Sequence, residues 1–154
     1  MNRLNKIINT LKEKELSVSL AESCSGGYAC YLMSEIPGSS KVFKGGMILY
    51  SLESKNKLLK IPRALLEKTQ GVSAKVASLL ARKIRKKFNS DIGAALVGFA
   101  GPQSRNKVPV GTVFLSVNYK NKTETKKIIL KGPRNKIQKE ASYLLLELIS
   151  DKIK

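Results

Sequence analysis

Ser-Cys-Ser-Gly-Gly, residues 23 to 27, joins a short strand-like run to a helical one, and it is the first stretch of the chain where chemistry can be built. Small residues at the amino end of a helix let backbone N–H groups approach a phosphate or a developing oxyanion, and the helix dipole favours the negative charge. Ser23 is therefore a candidate nucleophile, although Ser23 or Ser25 serves equally as a helix cap with Gly26 and Gly27 making the turn. Tyr50 and Lys55 flank the next junction of this kind. If the two strands run parallel, the junctions lie side by side and Lys55 comes within reach of Ser23. A partly desolvated lysine has a lowered pKa and can take the proton of a serine hydroxyl, with a tyrosine as relay, though most lysines of the chain are expected to be solvated. Gly98-Phe99-Ala100-Gly101-Pro102 forms a third loop, which either admits a ligand close to the backbone or is only a tight turn. The chain has no histidine. That excludes Ser-His-Asp and Cys-His catalysis and leaves Ser-Lys-Tyr as the familiar way to activate a serine.

The elements that must hold these residues follow from periodicity. Leu4, Ile7, Ile8 and Leu11 repeat at helical spacing over residues 2 to 15. Ser17 to Glu22 reads as a strand, and the helix after the Ser23–Gly27 turn ends at Pro37-Gly38; Ser39 and Ser40 then look like a cap or turn. An apolar run from Gly45 to Ser51 has strand length and leads into a charged helix, Glu53 to Lys60. Pro62 suits the first turn of a short helix reaching Thr69, and Ser73 caps a longer one whose stripe is Val76, Leu79, Leu80, Ile84 and Phe88. Ile92 to Phe99 is continuous and small enough for a fully buried strand, while Val110–Tyr119 and Thr123–Leu130 alternate like a hairpin. Ile137, Ala141, Leu144, Leu145 and Leu148 mark a last amphipathic helix. Strands alternating with helices predict a single-domain α/β protein over residues 1–154, a mixed sheet with helices on both faces. Ligands in such sheets gather where strand-to-helix turns converge, and the three loops above fall there.

At 154 residues the chain can bury one sizeable core. Its unusual property is charge, with 29 Lys and Arg against 11 Asp and Glu, a net +18. Such a field attracts phosphorylated metabolites and nucleic acid alike. Lys75, Arg82, Lys83, Arg85, Lys86 and Lys87 share the segment Ser73–Phe88 with no acid. Aromatic residues are only 6% and do not interleave with the basic ones, so a stacking platform for single strands is not indicated and a solvated basic surface accounts for the pattern. The alternative function is a non-catalytic anion- or nucleic-acid-binding module on the same fold, and weak nonspecific nucleic-acid binding is the partner the charge suggests. Cys24 and Cys30, if on one helix, point apart and are expected to be reduced; with no histidine they form no persuasive metal-ligand set. No run reaches the length of a membrane span and the amino terminus lacks a signal-peptide core, so the expected location is the cytoplasm, away from membranes.

Leu20-Ala21-Glu22-Ser23-Cys24-Ser25-Gly26-Gly27 is similar to the block T-A-E-S-C-T-G-G, Ile36 to Ser40 to V-P-G-S-S, and Gly46 to Lys55 to G-V-V-x-Y-S-N-E-A-K. Gly71-Val72-Ser73, Gly98 to Pro102 and Pro109 to Val113 match further blocks in the same order. Together they resemble the carboxy-terminal domain family of competence-damage-inducible protein A, whose stand-alone members are nicotinamide-mononucleotide amidases. The resemblance covers nearly the whole chain and implies a three-layer α/β/α fold. It further implies hydrolysis of the carboxamide of nicotinamide mononucleotide to ammonia and nicotinate mononucleotide, with no metal or organic cofactor. Carried over by position, Ser23 attacks the amide carbon, Lys55 is the base, Tyr50 assists, and the turn Ser25–Gly27 supplies N–H groups to the oxyanion. Ser39, Gly101 and Arg134 become substrate-holding positions. The substrate is a small nucleotide, and assembly into a homo-oligomer is expected.

The chain departs from the family pattern at three places. Leu52 stands where the pattern has Asn, the loop after Gly101-Pro102 shrinks to Gln103–Val108, and the late G-D-R-x-x-V-R reads Gly132 to Gln138. Arg134 persists and a second arginine has become Gln138, so one bidentate phosphate contact of the pattern is lost.

Overall fold

A computed structural model describes residues Asn2–Lys154. Five strands form one mixed sheet in the order β2-β1-β3-β4-β5, where β1 is Val18–Glu22, β2 Phe43–Ile48, β3 Ile92–Gly98, β4 Thr112–Tyr119 and β5 Lys122–Ile129. β1 is parallel to both β2 and β3, whereas β4 and β5 continue antiparallel. Helices α1 (Arg3–Glu13), α2 (Tyr28–Ser34) and α6 (Arg134–Lys152) cover one face. Helices α3 (Leu52–Leu59), α4 (Arg63–Thr69) and α5 (Ala74–Phe88) cover the other. The expected α/β/α sandwich is what the sheet and its two layers form.

Alternation along the strands sorts the core. Val18 and Leu20 of β1, with Ala94 and Leu96 of β3 and Leu115 of β4, meet the stripe Leu4, Ile7, Ile8 and Leu11 of α1 and the apolar side of α6. Ala21, Ala95 and Val97 point the opposite way, onto Val76, Leu80 and Ile84 of α5. The layer on that side is thin because its sheet residues are small. A Cβ on Gly93 would lie 2.0 Å from the Ala81 carbonyl oxygen, so α5 rests directly on the β3 backbone there. β3 is buried on both faces, as its continuous small and apolar run predicts.

Two boundaries differ from the sequence expectation. The second strand spans Phe43–Ile48 instead of Gly45–Ser51, and because it is a sheet edge its residues alternate between half-buried and exposed, with none fully buried. The apolar Leu49 and Tyr50 extended the run in sequence, yet Leu49 is already in the turn, where its N–H donates to the Glu22 carbonyl at 2.7 Å. The hairpin closes through only two residues, Lys120 and Asn121, both at positive φ, the backbone that matches the twist of the flanking strands.

The strand order creates the place for a ligand. From β1 the chain crosses to β2 on one side, and β3 returns on the other side of β1, so connections diverge between the carboxyl ends of β1 and β3. Ser23 leaves β1 at this switch point and Phe99 leaves β3 at it.

The first turn is held by a residue that sequence inspection passes over. Glu22 ends β1 and is fully buried. Its Oε1 accepts from Ser25 Oγ at 2.6 Å and from the Ala29 N–H at 3.0 Å, and its Oε2 accepts from the Cys30 N–H at 2.8 Å. Neither Ser23 nor Ser25 caps α2. The helix starts after Gly27, which has no side chain to offer, and the strand-borne carboxylate satisfies the second and third free N–H groups in its place. Replacing Glu22 with Ala leaves these donors buried without an acceptor. Denaturant unfolding should show Glu22→Ala destabilised by on the order of 3 kcal/mol and Glu22→Gln by less, because the amide keeps one acceptor oxygen. An Ala variant within about 0.5 kcal/mol of the parent would refute this role for the carboxylate.

Candidate active site

A cavity of about 700 Å³ opens at the carboxyl edge of the parallel strands. Three turns build its wall: Ser23 and Cys24 after β1, Tyr50 to Lys55 after β2, and Gly98 to Gly101 after β3. Its size suits a small-molecule ligand.

Lys55 and Ser23 meet at its floor. The Lys55 side chain is 2% exposed, and its Nζ lies 3.0 Å from Ser23 Oγ and 2.7 Å from the Leu49 carbonyl oxygen. Ser51 caps α3 by accepting the Ser54 N–H, which fixes the helix so that the fourth residue of its first turn reaches back over β2 toward β1. Gly71, at φ +76°, closes the cover: a Cβ there would lie 2.9 Å from Leu52 Cδ2 and 3.5 Å from Lys55 Cε. Burial lowers the Lys55 pKa to about 8, opposed by the neighbouring Cys24. The neutral amine is therefore accessible near physiological pH. With one N–H held by the Leu49 carbonyl, its lone pair is free to accept the Ser23 hydroxyl proton.

Cys24 lines the same cavity but is a poor competitor as nucleophile. Burial pushes its thiol up to about 11 against the opposing pull of Lys55 and Arg134, so it stays protonated. It lies in the turn, not on α2, and both it and Cys30 are free. Burial and the Glu22 carboxylate push the Cys30 thiol up as well.

Tyr50 sits at the rim, 59% exposed, and its hydroxyl makes no hydrogen bond with Ser23 or Lys55. Instead it accepts from Arg134 Nη2 at 2.7 Å, while Arg134 Nη1 donates to the Gly101 carbonyl at 2.5 Å. Arg134 thus straps the start of α6 to the loop after β3 and to Tyr50. Gly101, at φ +92°, is buried in the cavity wall and turns its carbonyl to that guanidinium.

The remaining candidates lie elsewhere. Ser25, Gly26 and Gly27 line a smaller neighbouring cavity of about 310 Å³ with Tyr28, Tyr31 and Gln138. The Gly26 N–H is already spent on the Ser23 carbonyl at 3.0 Å, and the Ser25 hydroxyl on Glu22. The Cys24 N–H, by contrast, donates to no carbonyl among the described residues and is turned toward its own sulfur. Ser39 belongs to a short 3-10 turn, Ser39–Lys41, where its Oγ donates to the Ser34 carbonyl at 3.4 Å; it does not line the Ser23 cavity.

Four residues with a part in this arrangement were not among the sequence candidates. Glu22 holds the Ser23 turn and Gly71 covers the lysine. Gln138 Nε2 donates to the Cys24 carbonyl at 2.8 Å, tying α6 to the residue after Ser23. Arg105 of the short loop lines the cavity. Glu22 and Gly71 each fell inside a matching block and Gln138 at a departure from one, but nothing local to them gave these contacts; Arg105 carried no such signal.

Comparison with known proteins gives a consistent result. The family model described as CinA C-terminal domain matches residues 2–153. A CinA-like protein of Fusobacterium nucleatum is 39% identical over 158 aligned positions, covering 99% of this chain and 38% of that protein. One of Kosmotoga olearia is 38% identical over 144 residues, covering 93% of this chain and 35% of its own length. The chain thus spans little more than a third of these relatives. Among solved structures, the competence/damage inducible protein CihA of Agrobacterium tumefaciens superposes with a TM-score of 0.93 at 25% identity, covering 100% of this chain and 98% of that one. The competence damage-inducible protein A of Klebsiella pneumoniae does so with a TM-score of 0.93 at 24% identity, covering 99% and 98%, a likeness of fold alone. By the match along its length and by these relatives, the chain belongs to the CinA C-terminal domain family.

Proposed function

We propose that this chain is a serine amidase that hydrolyses nicotinamide mononucleotide to nicotinate mononucleotide and ammonia. The observation that carries the proposal is the buried Lys55 amine 3.0 Å from the Ser23 hydroxyl at the floor of the cavity. A lysine is placed at such desolvation cost only if something gains from it, and a lowered pKa beside a hydroxyl is what nucleophile activation requires.

The cavity wall also suits the substrate. Lys55, Arg105 and Arg134 line it and no Asp or Glu does, so it favours an anionic ligand such as a mononucleotide. In the first half-reaction neutral Lys55 takes the Ser23 proton as Oγ attacks the carboxamide carbon. The oxyanion that forms accepts the Cys24 N–H, which no carbonyl takes, a donor set on the residue next to the nucleophile. Protonated Lys55 then delivers its proton to the departing nitrogen, ammonia leaves, and an acyl ester remains on Ser23. Water attacks this ester while Lys55 takes one of its protons. Collapse returns that proton to Ser23 Oγ and frees nicotinate mononucleotide. Tyr50 and Arg134 act at the rim, where their mutual hydrogen bond shapes the entrance.

Purified protein should release ammonia from nicotinamide mononucleotide, and Ser23→Ala or Lys55→Ala should lower kcat by on the order of a thousandfold or more with the fold retained by circular dichroism. No ammonia from the parent protein would end the amidase reading. The base must be neutral to act, so kcat/KM should rise about tenfold per pH unit below the Lys55 pKa of about 8 and level off above it. A profile flat from pH 6 to 9 would contradict Lys55 as the base.

A further inference from the structure

We propose that Arg105 is the group that recognises the phosphate of the substrate, an inference that rests on the amidase reading and assigns the residue that sets its specificity. Three cationic side chains line the cavity, and two are already engaged. Lys55 is bound to Ser23 and to the Leu49 carbonyl, and Arg134 is bound to the Gly101 carbonyl and the Tyr50 hydroxyl. Arg105 alone, exposed on its loop at the cavity, has no side-chain partner among the described residues, and the wall it shares carries no carboxylate to take its five N–H donors.

The loop that carries it is held in place. Asn106 Nδ2 donates to the Lys68 carbonyl at the end of α4 at 3.0 Å, the Val108 N–H returns to the Arg105 carbonyl at 3.1 Å, and the Gly111 N–H closes the base of the loop on the Phe99 carbonyl at 2.7 Å. Arg105 is thus presented from the side of the cavity formed by the turn after β3. A planar guanidinium with all its donors free matches two oxygens of a phosphate at once, which a solvated lysine does not. The other residue positioned near the site from α6, Gln138, is occupied with the Cys24 carbonyl and lines the neighbouring cavity. Arg105 therefore bears the phosphate preference of this chain.

Binding isolates the effect from turnover. In a Ser23→Ala background, calorimetry should show that Arg105→Ala weakens nicotinamide mononucleotide about tenfold while affinity for nicotinamide riboside, which lacks the phosphate, is unchanged; Arg105→Lys should recover part of the loss. Equal affinity of both backgrounds for the mononucleotide would overturn the proposal, as would an equal loss for the riboside, or no mononucleotide binding at all by the Ser23→Ala protein. Ammonia release by the parent protein is read separately. Turnover with no effect of Arg105 removes this inference and leaves the amidase, whereas Arg105-dependent binding without turnover removes the amidase and leaves the phosphate site.

Discussion

A lysine amine buried against a serine hydroxyl organises this protein. An ammonium taken out of water costs several kcal/mol unless partners replace its hydration, and Lys55 has only a carbonyl and a hydroxyl to do so. The shortfall appears as a pKa of about 8. Much of the surrounding structure serves to maintain that arrangement: Gly71 lets the backbone after α4 press on the lysine stem, the Ser51 cap fixes where α3 begins, and the thin Ala-rich layer of β1 and β3 lets α5 approach the sheet.

The Ser23 side is held by a different device. Glu22 puts a buried carboxylate at the end of β1 and uses it as a helix cap, so strand, turn and helix become one hydrogen-bonded unit with Ser23 at its apex. From the other direction Gln138 grips the carbonyl of Cys24. Ser23 is therefore gripped from the chain before it and the residue after it, which limits the motion of its hydroxyl relative to Lys55. Rigidity of this kind is what lets a weak base act on a weak acid. The excess positive charge is in part structural as well. Lys83 Nζ donates to the Lys60 carbonyl and Lys44 Nζ to the Asn89 carbonyl, the residues that cap the carboxyl ends of α3 and α5, and Arg85 is bound to Asn118. Basic side chains at these positions complement the carboxyl ends of the helices.

Much of the fold was legible because its periodicities are strong: the apolar stripes of α1 and α5, the unbroken run of β3 and the alternation of β4 each admit one assignment. The pairing of Ser23 with Lys55 was legible for a topological reason, since adjacent parallel strands bring successive strand-to-helix turns together. Other parts had no local sequence signature. Glu22 is an acid at the end of a strand, and only the return of α2 over it makes it a cap. The contact of Arg134 with Tyr50 joins residues 84 apart, and nothing in either neighbourhood indicates the other. Tyr50 read as a proton relay because it precedes Lys55 in the same turn, but the strand edge leaves it exposed at the rim. The edge strand was displaced in sequence because apolar Leu49 and Tyr50 prolong its pattern after the backbone has turned away.

The central claim, that Lys55 is a base and not merely a buried cation, is tested most directly by titrating its side-chain nitrogen by heteronuclear NMR, with Lys55→Arg used to assign the signal. The midpoint should lie near 8, well below those of the solvent-exposed lysines. A midpoint at or above the ordinary lysine value would contradict it, for Lys55 would then be charged throughout the working range and unable to take the proton of Ser23.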